Sequence, residues 1–418
     1  MEDAFIIGSA CTPFGKFQEQ TYKGLTRDVF TMVLRDAGLA DGGPIESAWF
    51  GNCGMGAFEQ RNIRGQVCFT PLVRDRLFPE RVPITNVEGG CATAALALNG
   101  AIKDVVSGDV SVSLAIGVEK TFFEDRAVTQ QIFDGAIDQF DPQEWEEYYT
   151  AIGHRAGKPF EPKAGGSTVF MSTYGMQAAY HMKRYGTTQR QIAVGASKNH
   201  HMGSLNPGAQ YRFEVSVEDV LADRPVSWPL TRAMCAPIGD GGAAAIVCSS
   251  AYLATCPPEV RERAVKVRAM QLSGGKYRDP DEPSLSRIAA QKAYRRAGLA
   301  PEDIDIAEVH DATSFCEIYQ CEMLGFCAEG EGGRYVESGA TALGGARPVN
   351  LSGGLVSKGH PIGATGLSMI HELTTQLRGE AGARQARGAR IGLAENGGGV
   401  IGFDEAVCAV TILEAPKA

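Results

Sequence analysis

The cysteines of this chain form no Cys-x-x-Cys pair and keep no regular spacing, although there are eleven of them. That argues against a zinc or disulfide framework and favours reduced thiols in a cytoplasmic protein that holds no metal of its own. Positive charge is also short. Lys and Arg number 40 against 49 Asp and Glu, a net charge of −9, whereas nucleic-acid binding calls for a basic surface. No apolar run approaches the roughly 20 residues that cross a bilayer. The start, Met1-Glu2-Asp3-Ala4-Phe5, is acidic and runs straight into an apolar segment, unlike a secretory leader or a basic transit peptide. Neither nucleic acid nor membrane is therefore expected as a partner.

What the chain does have is glycine, 51 in 418 residues, gathered in short Gly-Gly elements that suggest tight turns and close backbone approach. The length exceeds one ordinary core, so two domains or two fused halves are expected. Strands and helices alternate from the outset: Ala4 to Ser9 reads as a strand, Leu25 to Gly38 as an amphipathic helix, Ile45 to Gly51 as a strand and Ala92 to Ser107 as a long helix. Val110 to Gly117 has the unbroken apolar character of a central strand. The expected class is α/β with a largely parallel sheet.

The pattern then repeats. Arg35-Asp36-Ala37-Gly38-Leu39-Ala40 closes the first helix, and Arg295-Arg296-Ala297-Gly298-Leu299-Ala300 closes another 260 residues later. Glu88-Gly89-Gly90 before one long helix is echoed by Ser352-Gly353-Gly354 before a second. Two similar halves related by a pseudo-twofold axis, with one sheet each, are expected. The first half takes residues 1–118 and 227–258, and the second takes 259–418. Residues 119–226, crowded with Phe122, Phe123, Phe133, Trp145, Tyr149 and other aromatics, read as an inserted loop or cap domain. Those aromatics suit a small core of their own better than a pocket, although a cap over a reactive residue is where an acyl group would be held.

Three stretches would meet near the axis. Cys91 follows Gly89-Gly90 at the start of an Ala/Leu-rich helix, where free N–H groups and the dipole favour a thiolate and can hold an oxyanion. A buried core cysteine is the competing reading. His310 ends a strand in Glu308-Val309-His310-Asp311. His360 lies between glycine and proline in the glycine-rich loop from Ser352 to Gly366. A cysteine with two histidines can perform nucleophilic catalysis on a carbonyl, one imidazole taking the thiol proton and the other donating to the oxyanion. Ala394-Glu395-Asn396-Gly397-Gly398-Gly399 is a fourth candidate: a carboxylate, an amide and glycine N–H groups at a strand end, or simply a solvated turn.

In these motifs the chain resembles a thiolase, and in particular the thiolase part of the sterol-carrier-protein-2 (SCP-x) type. The likeness runs from Ile6-Ile7-Gly8 to the last strand, and includes Gly325-Phe326-Cys327-Ala328-Glu329-Gly330 and Leu377-Arg378-Gly379-Glu380-Ala381-Gly382. The resemblance implies a five-layered αβαβα fold with an inserted loop domain, a dimer, and coenzyme A as co-substrate. Cys91 would be acylated, His360 would be its base, and His310 would help bind the thioester oxygen. Asn396, Gly397 and Gly398 would complete the oxyanion site, with Ser352, Gly353, Phe122 and Phe123 contacting substrate. Many thiolases use a second cysteine in a Cys-x-Gly motif on the last loop as acid and base for the substrate's α-carbon. Glu395 stands at that position, so Glu395, or His360 alone, is expected to handle that proton. Relatives of this type also admit a small zinc-ribbon/OB-fold partner protein. The sequence ends at Ala418, and no lipid-transfer domain is expected to follow. The expected reaction is cleavage of a 3-oxoacyl-CoA by free CoA, with a bulky or aromatic acyl chain. The alternatives are a condensing acyltransferase acting on an unusual acceptor and a thiolase-like scaffold subunit.

Overall fold

The computed structural model describes residues 2–163 and 166–416. Its first run comprises β1 (Ala4–Cys11), α1 (Tyr22–Asp36), β2 (Ser47–Gly51), α2 (Arg64–Arg74), β3 (Ile84–Val87), α3 (Thr93–Ser107) and β4 (Val112–Glu119). Five helices follow: α4 (Arg126–Asp134), α5 (Pro142–Ala156), α6 (Val169–Tyr185), α7 (Gln189–Ser204) and α8 (Val217–Ala222). A two-stranded ribbon, β5 (Pro225–Ser227) and β6 (Leu230–Thr231), leads to β7 (Gly241–Ser249) and the short α9 (Ser250–Thr255) and α10 (Pro258–Arg261). The chain ends with β8 (Val265–Gly274), α11 (Leu285–Ala297), β9 (Ile306–Val309), α12 (Ser314–Met323), α13 (Gly332–Glu337), α14 (Thr365–Leu377), β10 (Ile391–Gly398) and β11 (Val407–Glu414).

The repeat is visible in the strand order, β3-β2-β4-β7-β1 followed by β8-β11-β10-β9. Each half runs inward from a parallel pair to an antiparallel pair: β2 is parallel to β4 and β4 antiparallel to β7, while β9 is parallel to β10 and β10 antiparallel to β11. Beyond β9, Val349 forms a single parallel bridge to Ala307, where the first half has β3. Two details differ from expectation: the sheet is mixed rather than largely parallel, because the central strands β7, β1, β8 and β11 all pair antiparallel, and the halves do not keep separate sheets. The two sheets are continuous by hydrogen bonding, because β1 and β8 pair over Phe5↔Lys266 and Ile6↔Val265.

Local sequence explains the matching helices. Thr21 caps α1 by accepting from the Gly24 N–H, and Ser284 caps α11 by accepting from the Arg287 N–H. Gly298, at φ 68°, ends α11 in the left-handed conformation that glycine adopts without cost. The small residues of α3 (Ala94, Ala95, Ala97, Ala101) let it sit against α14 as a central layer, packed with Leu367, Ile370 and Leu373. Separate apolar clusters lie under α1 and α2 on one side and under α11 on the other. Both halves are also clamped by half-buried ion pairs. Asp36, at the end of α1, accepts from Arg378, at the end of α14, at 2.8 Å, and from Arg263 at 2.8 Å. Among the described residues, no helix is long and apolar enough to cross a membrane.

Candidate active site

The carboxyl ends of the corresponding strands and the starts of α3 and α14 converge on one sulfur. Cys91 sits in a tight turn, Gly90–Ala92, that runs directly into α3, and it is buried. No side chain caps α3, so its first N–H groups stay unclaimed by side chains around the cysteine. The nitrogen Nε2 of His360 stands 3.1 Å from Cys91 Sγ. His360 Nδ1 lies 2.7 Å from Thr365 Oγ1. The Thr365 hydroxyl donates to the Pro361 carbonyl at 3.0 Å, so it can only accept from the ring. The proton therefore resides on Nδ1, and Nε2 offers its lone pair to the thiol.

Burial, helped by the neighbouring His310 and Lys358, holds His360 well below its ordinary imidazole range. Burial and then the Glu405 carboxyl push the Cys91 thiol up. The resting site is thus a neutral thiol beside a neutral imidazole, which suits proton transfer at the moment of attack rather than a standing ion pair.

His310 follows β9, its ring 5.3 Å from that of His360. Burial lowers it to about 4, so it too is neutral. Both of its ring nitrogens are buried without a hydrogen-bond partner. Leaving a buried donor unpaired costs roughly 1–3 kcal/mol, so this imidazole is poised for a substrate oxygen. Cys91 Sγ and one nitrogen from each histidine lie within 4.8 Å of one another, a set that could also ligate a soft metal ion.

The glycine-rich loop is held by acids around β9. Asp311 Oδ1 accepts from the Leu355 N–H at 2.6 Å, and its Oδ2 accepts from Asn199 of α7 at 2.8 Å. Glu308 accepts from both the backbone and the hydroxyl of Ser352. Ser352 and Gly353 are consequently fully enclosed in the glycine-rich loop, with the Ser352 hydroxyl already engaged by Glu308. Phe122 and Phe123 point elsewhere as well. The Phe122 ring lies under Lys16 and the Phe123 ring against Phe58, and neither joins the apolar cluster around Cys91. That cluster instead holds Phe133, Trp145, Tyr149, Phe170 and Tyr174 of the inserted segment, together with Phe315, Leu355, Val400 and Phe403. The inserted segment's aromatics thus form a core that continues to the sulfur.

The end of β10 lies beside the cysteine. Asn396 faces the central layer, its Oδ1 against Gly366 of α14. Glu395 faces the other way and is fully buried: Oε2 accepts from the His310 N–H at 3.1 Å, and Oε1 lies 3.3 Å from Ser286 Oγ and 3.2 Å from Cys408 Sγ. Burial raises it to about 7. Gly398 presses on the nucleophile, since a Cβ there would lie 2.7 Å from Cys91 N and 2.3 Å from Ala92 N. Gly398→Ala is expected to cost about 1–3 kcal/mol through overpacking and, by shifting Cys91, to slow its acylation about 10²-fold. Thermal unfolding and acylation rates check the two effects separately.

A duplicated α/β fold with an activated cysteine and two neutral histidines at the meeting of its halves defines a thiol acyltransferase. The chain belongs to the thiolase family: residues 4–220 match the thiolase N-terminal domain and residues 275–412 the thiolase C-terminal domain-like family. It is 36% identical over 408 residues to an acetyl-CoA acetyltransferase of Methanothermobacter thermautotrophicus, covering 96% of this chain and 98% of the relative. It is 35% identical over 431 residues to human sterol carrier protein 2, covering 96% of this chain and 72% of that protein. The solved structure of the Ltp2-ChsH2(DUF35) aldolase superposes with a TM-score of 0.77 at 22% identity, over 100% of this chain and 99% of that one.

Thr365 and Asn199 were not legible as site residues. Only the repeat could have drawn attention to Thr365, as the start of the helix that corresponds to α3.

Proposed function

We propose that this enzyme cleaves a 3-oxoacyl-CoA with free coenzyme A through an acyl-enzyme on Cys91. His360 Nε2 takes the thiol proton, and the sulfur attacks the 3-keto carbon. His310 donates to the oxyanion, and collapse of the adduct expels a CoA enolate. Free CoA then removes the acyl group. The observation that carries this reading is the 3.1 Å contact between His360 Nε2 and Cys91 Sγ, with the tautomer set by Thr365.

Intact-mass measurement after incubation with acyl-CoA tests it. One acyl adduct is expected on the wild type and none on Cys91→Ala. Absence of an adduct across a broad acyl panel would sink the reading and leave a scaffold. Product analysis with and without free CoA separates cleavage from condensation.

The acyl chain in this proposal is bulky or aromatic, because the surface that reaches Cys91 is built from the aromatic side chains Phe133, Trp145, Tyr149 and Phe170, which match such a chain chemically. A preference for acetoacetyl-CoA in a thiolysis panel would contradict that. The proposal also includes a cytoplasmic homodimer, for which the half-exposed edge strand β3 offers unpaired main-chain groups. A small zinc-ribbon/OB-fold partner is included by analogy with the DUF35 protein of the Ltp2-ChsH2 structure.

A further inference from the structure

Expulsion of an enolate requires a proton donor at the α-carbon, and His360 already holds the thiol proton at that stage. That proton is the one Cys91 recovers when it leaves as thiolate, so a second acid near the sulfur would let His360 keep it through the cycle. Four acids and thiols of the second half lie in or near the site. Glu395 is fully buried, and its oxygens are engaged by the His310 N–H, Ser286 and Cys408. Cys408 is fully buried in β11 with its thiol against Glu395. Cys316 is buried and lies 3.4 Å from Thr313 Oγ1. Glu405 is half-buried, and among the described residues only its own backbone N–H is hydrogen-bonded to its carboxyl.

The placement of Glu405 is rigid. The turn between β10 and β11 closes with Ile401 N–H to Asp404 O at 3.0 Å and Ala406 N–H to Gly398 O at 2.8 Å. Asp404 is anchored by Arg278 Nε at 2.6 Å. The Glu405 carbonyl lies against Gly275, where a Cβ would stand only 1.9 Å from that oxygen. With its backbone so fixed, Glu405 lays its carboxyl over Gly397, filling the space a side chain would take: a Cβ on Gly397 would be 2.7 Å from both Cδ and Oε1. The next residue, Gly398, is the one packed on Cys91 N. The carboxyl resting over Gly397 is also the first charged neighbour that acts on the Cys91 thiol, so the glycine-rich end of β10 holds it on the sulfur's side of the strand.

We propose that Glu405, rather than Glu395, is the acid–base group that exchanges the proton on the substrate's α-carbon. The inference rests on the thiolase reading above. In the cleavage direction, the C2–C3 bond breaks, its electron pair passes to C2, and the neutral Glu405 carboxyl gives C2 its proton. Free CoA then gives its thiol proton to the Glu405 carboxylate and attacks the acyl group. Cys91 leaves as thiolate and recovers its own proton from His360. Every group returns to its starting state. Consistent with this cycle, burial and the nearby Glu395 push the Glu405 carboxyl up, towards the protonated form that donates.

Three rates test the assignment: exchange of labelled CoA into acyl-CoA, exchange of the acyl-CoA α-proton with deuterated water, and C–C cleavage. Glu405→Gln should slow α-proton exchange and cleavage together by about 10²–10⁴-fold, with CoA exchange slowed far less. Near-normal α-proton exchange in Glu405→Gln would overturn the proposal, as would equal loss of all three rates. So would the same selective loss in Glu395→Gln or Cys316→Ala with Glu405→Gln unaffected. If the wild type exchanges no CoA, the thiolase reading itself falls, and this assignment falls with it.

Discussion

His360→Ala is expected to slow acylation of Cys91 by about 10²–10⁴-fold and to change the pH dependence from flat to steep. In the wild type, the base is an imidazole held well below its ordinary range by burial, His310 and Lys358. It is already neutral at neutral pH, and raising the pH further adds no base. In the variant the thiol must ionise unaided. Burial and Glu405 have raised it, so its thiolate fraction remains small and grows about tenfold per pH unit. Stopped-flow acylation from neutral pH upward gives both numbers. A variant with a flat profile would show that some other group takes the proton. Thr365→Val is a milder companion: it leaves Nε2 in place but removes the acceptor that keeps the proton on Nδ1.

His310→Ala should reduce C–C cleavage by about 10²–10³-fold, with a smaller effect on thermal stability than truncating an aromatic core residue. The unpartnered ring nitrogens carry that argument, because a side chain whose polar atoms bond nothing in the resting fold contributes to the reaction more than to the structure. The sign of its pH linkage is also fixed. The native state keeps His310 neutral down to about 4, while the unfolded imidazole binds a proton near 6.5. The wild type therefore loses stability as the pH falls from about 6.5 towards 4. His310→Ala should lose less over the same interval, as measured by denaturant unfolding at several pH values. Equal acid sensitivity would mean that the ring is charged in the fold.

Much of this architecture was legible in the sequence because it is written twice. The Arg-x-Ala-Gly-Leu-Ala helix ends and the Gly-Gly turns before α3 and α14 mark equivalent positions, and periodicity located nearly every strand of the large sheet. The convergence of Cys91, His310 and His360 followed from the same symmetry. What sequence could not supply was direction. Glu395 and Asn396 are neighbours on β10, and whether either faced the sulfur depended on strand register and on what Ser286, Cys408 and Gly366 had already filled. Phe122 and Phe123 were expected against substrate on the family resemblance, yet the turn fixed by Asp240, which accepts from the Phe122 N–H at 2.9 Å, turns that segment aside. Glu405 gave no signal at all. It lies ten residues past Glu395 in an irregular turn, and only the missing side chain of Gly397 reveals why a carboxyl can rest there.

The two halves meet through a single short β1–β8 pairing and the α3–α14 layer, and this orders events during synthesis. Cys91 is synthesised early, but the imidazole that stands against its sulfur lies 269 residues further along the chain. A nascent first half carries a thiol with neither base nor oxyanion donor, so it cannot capture cellular thioesters prematurely. Reactivity appears only when nearly the whole chain has been made and docked, which makes catalytic competence a late checkpoint on complete folding.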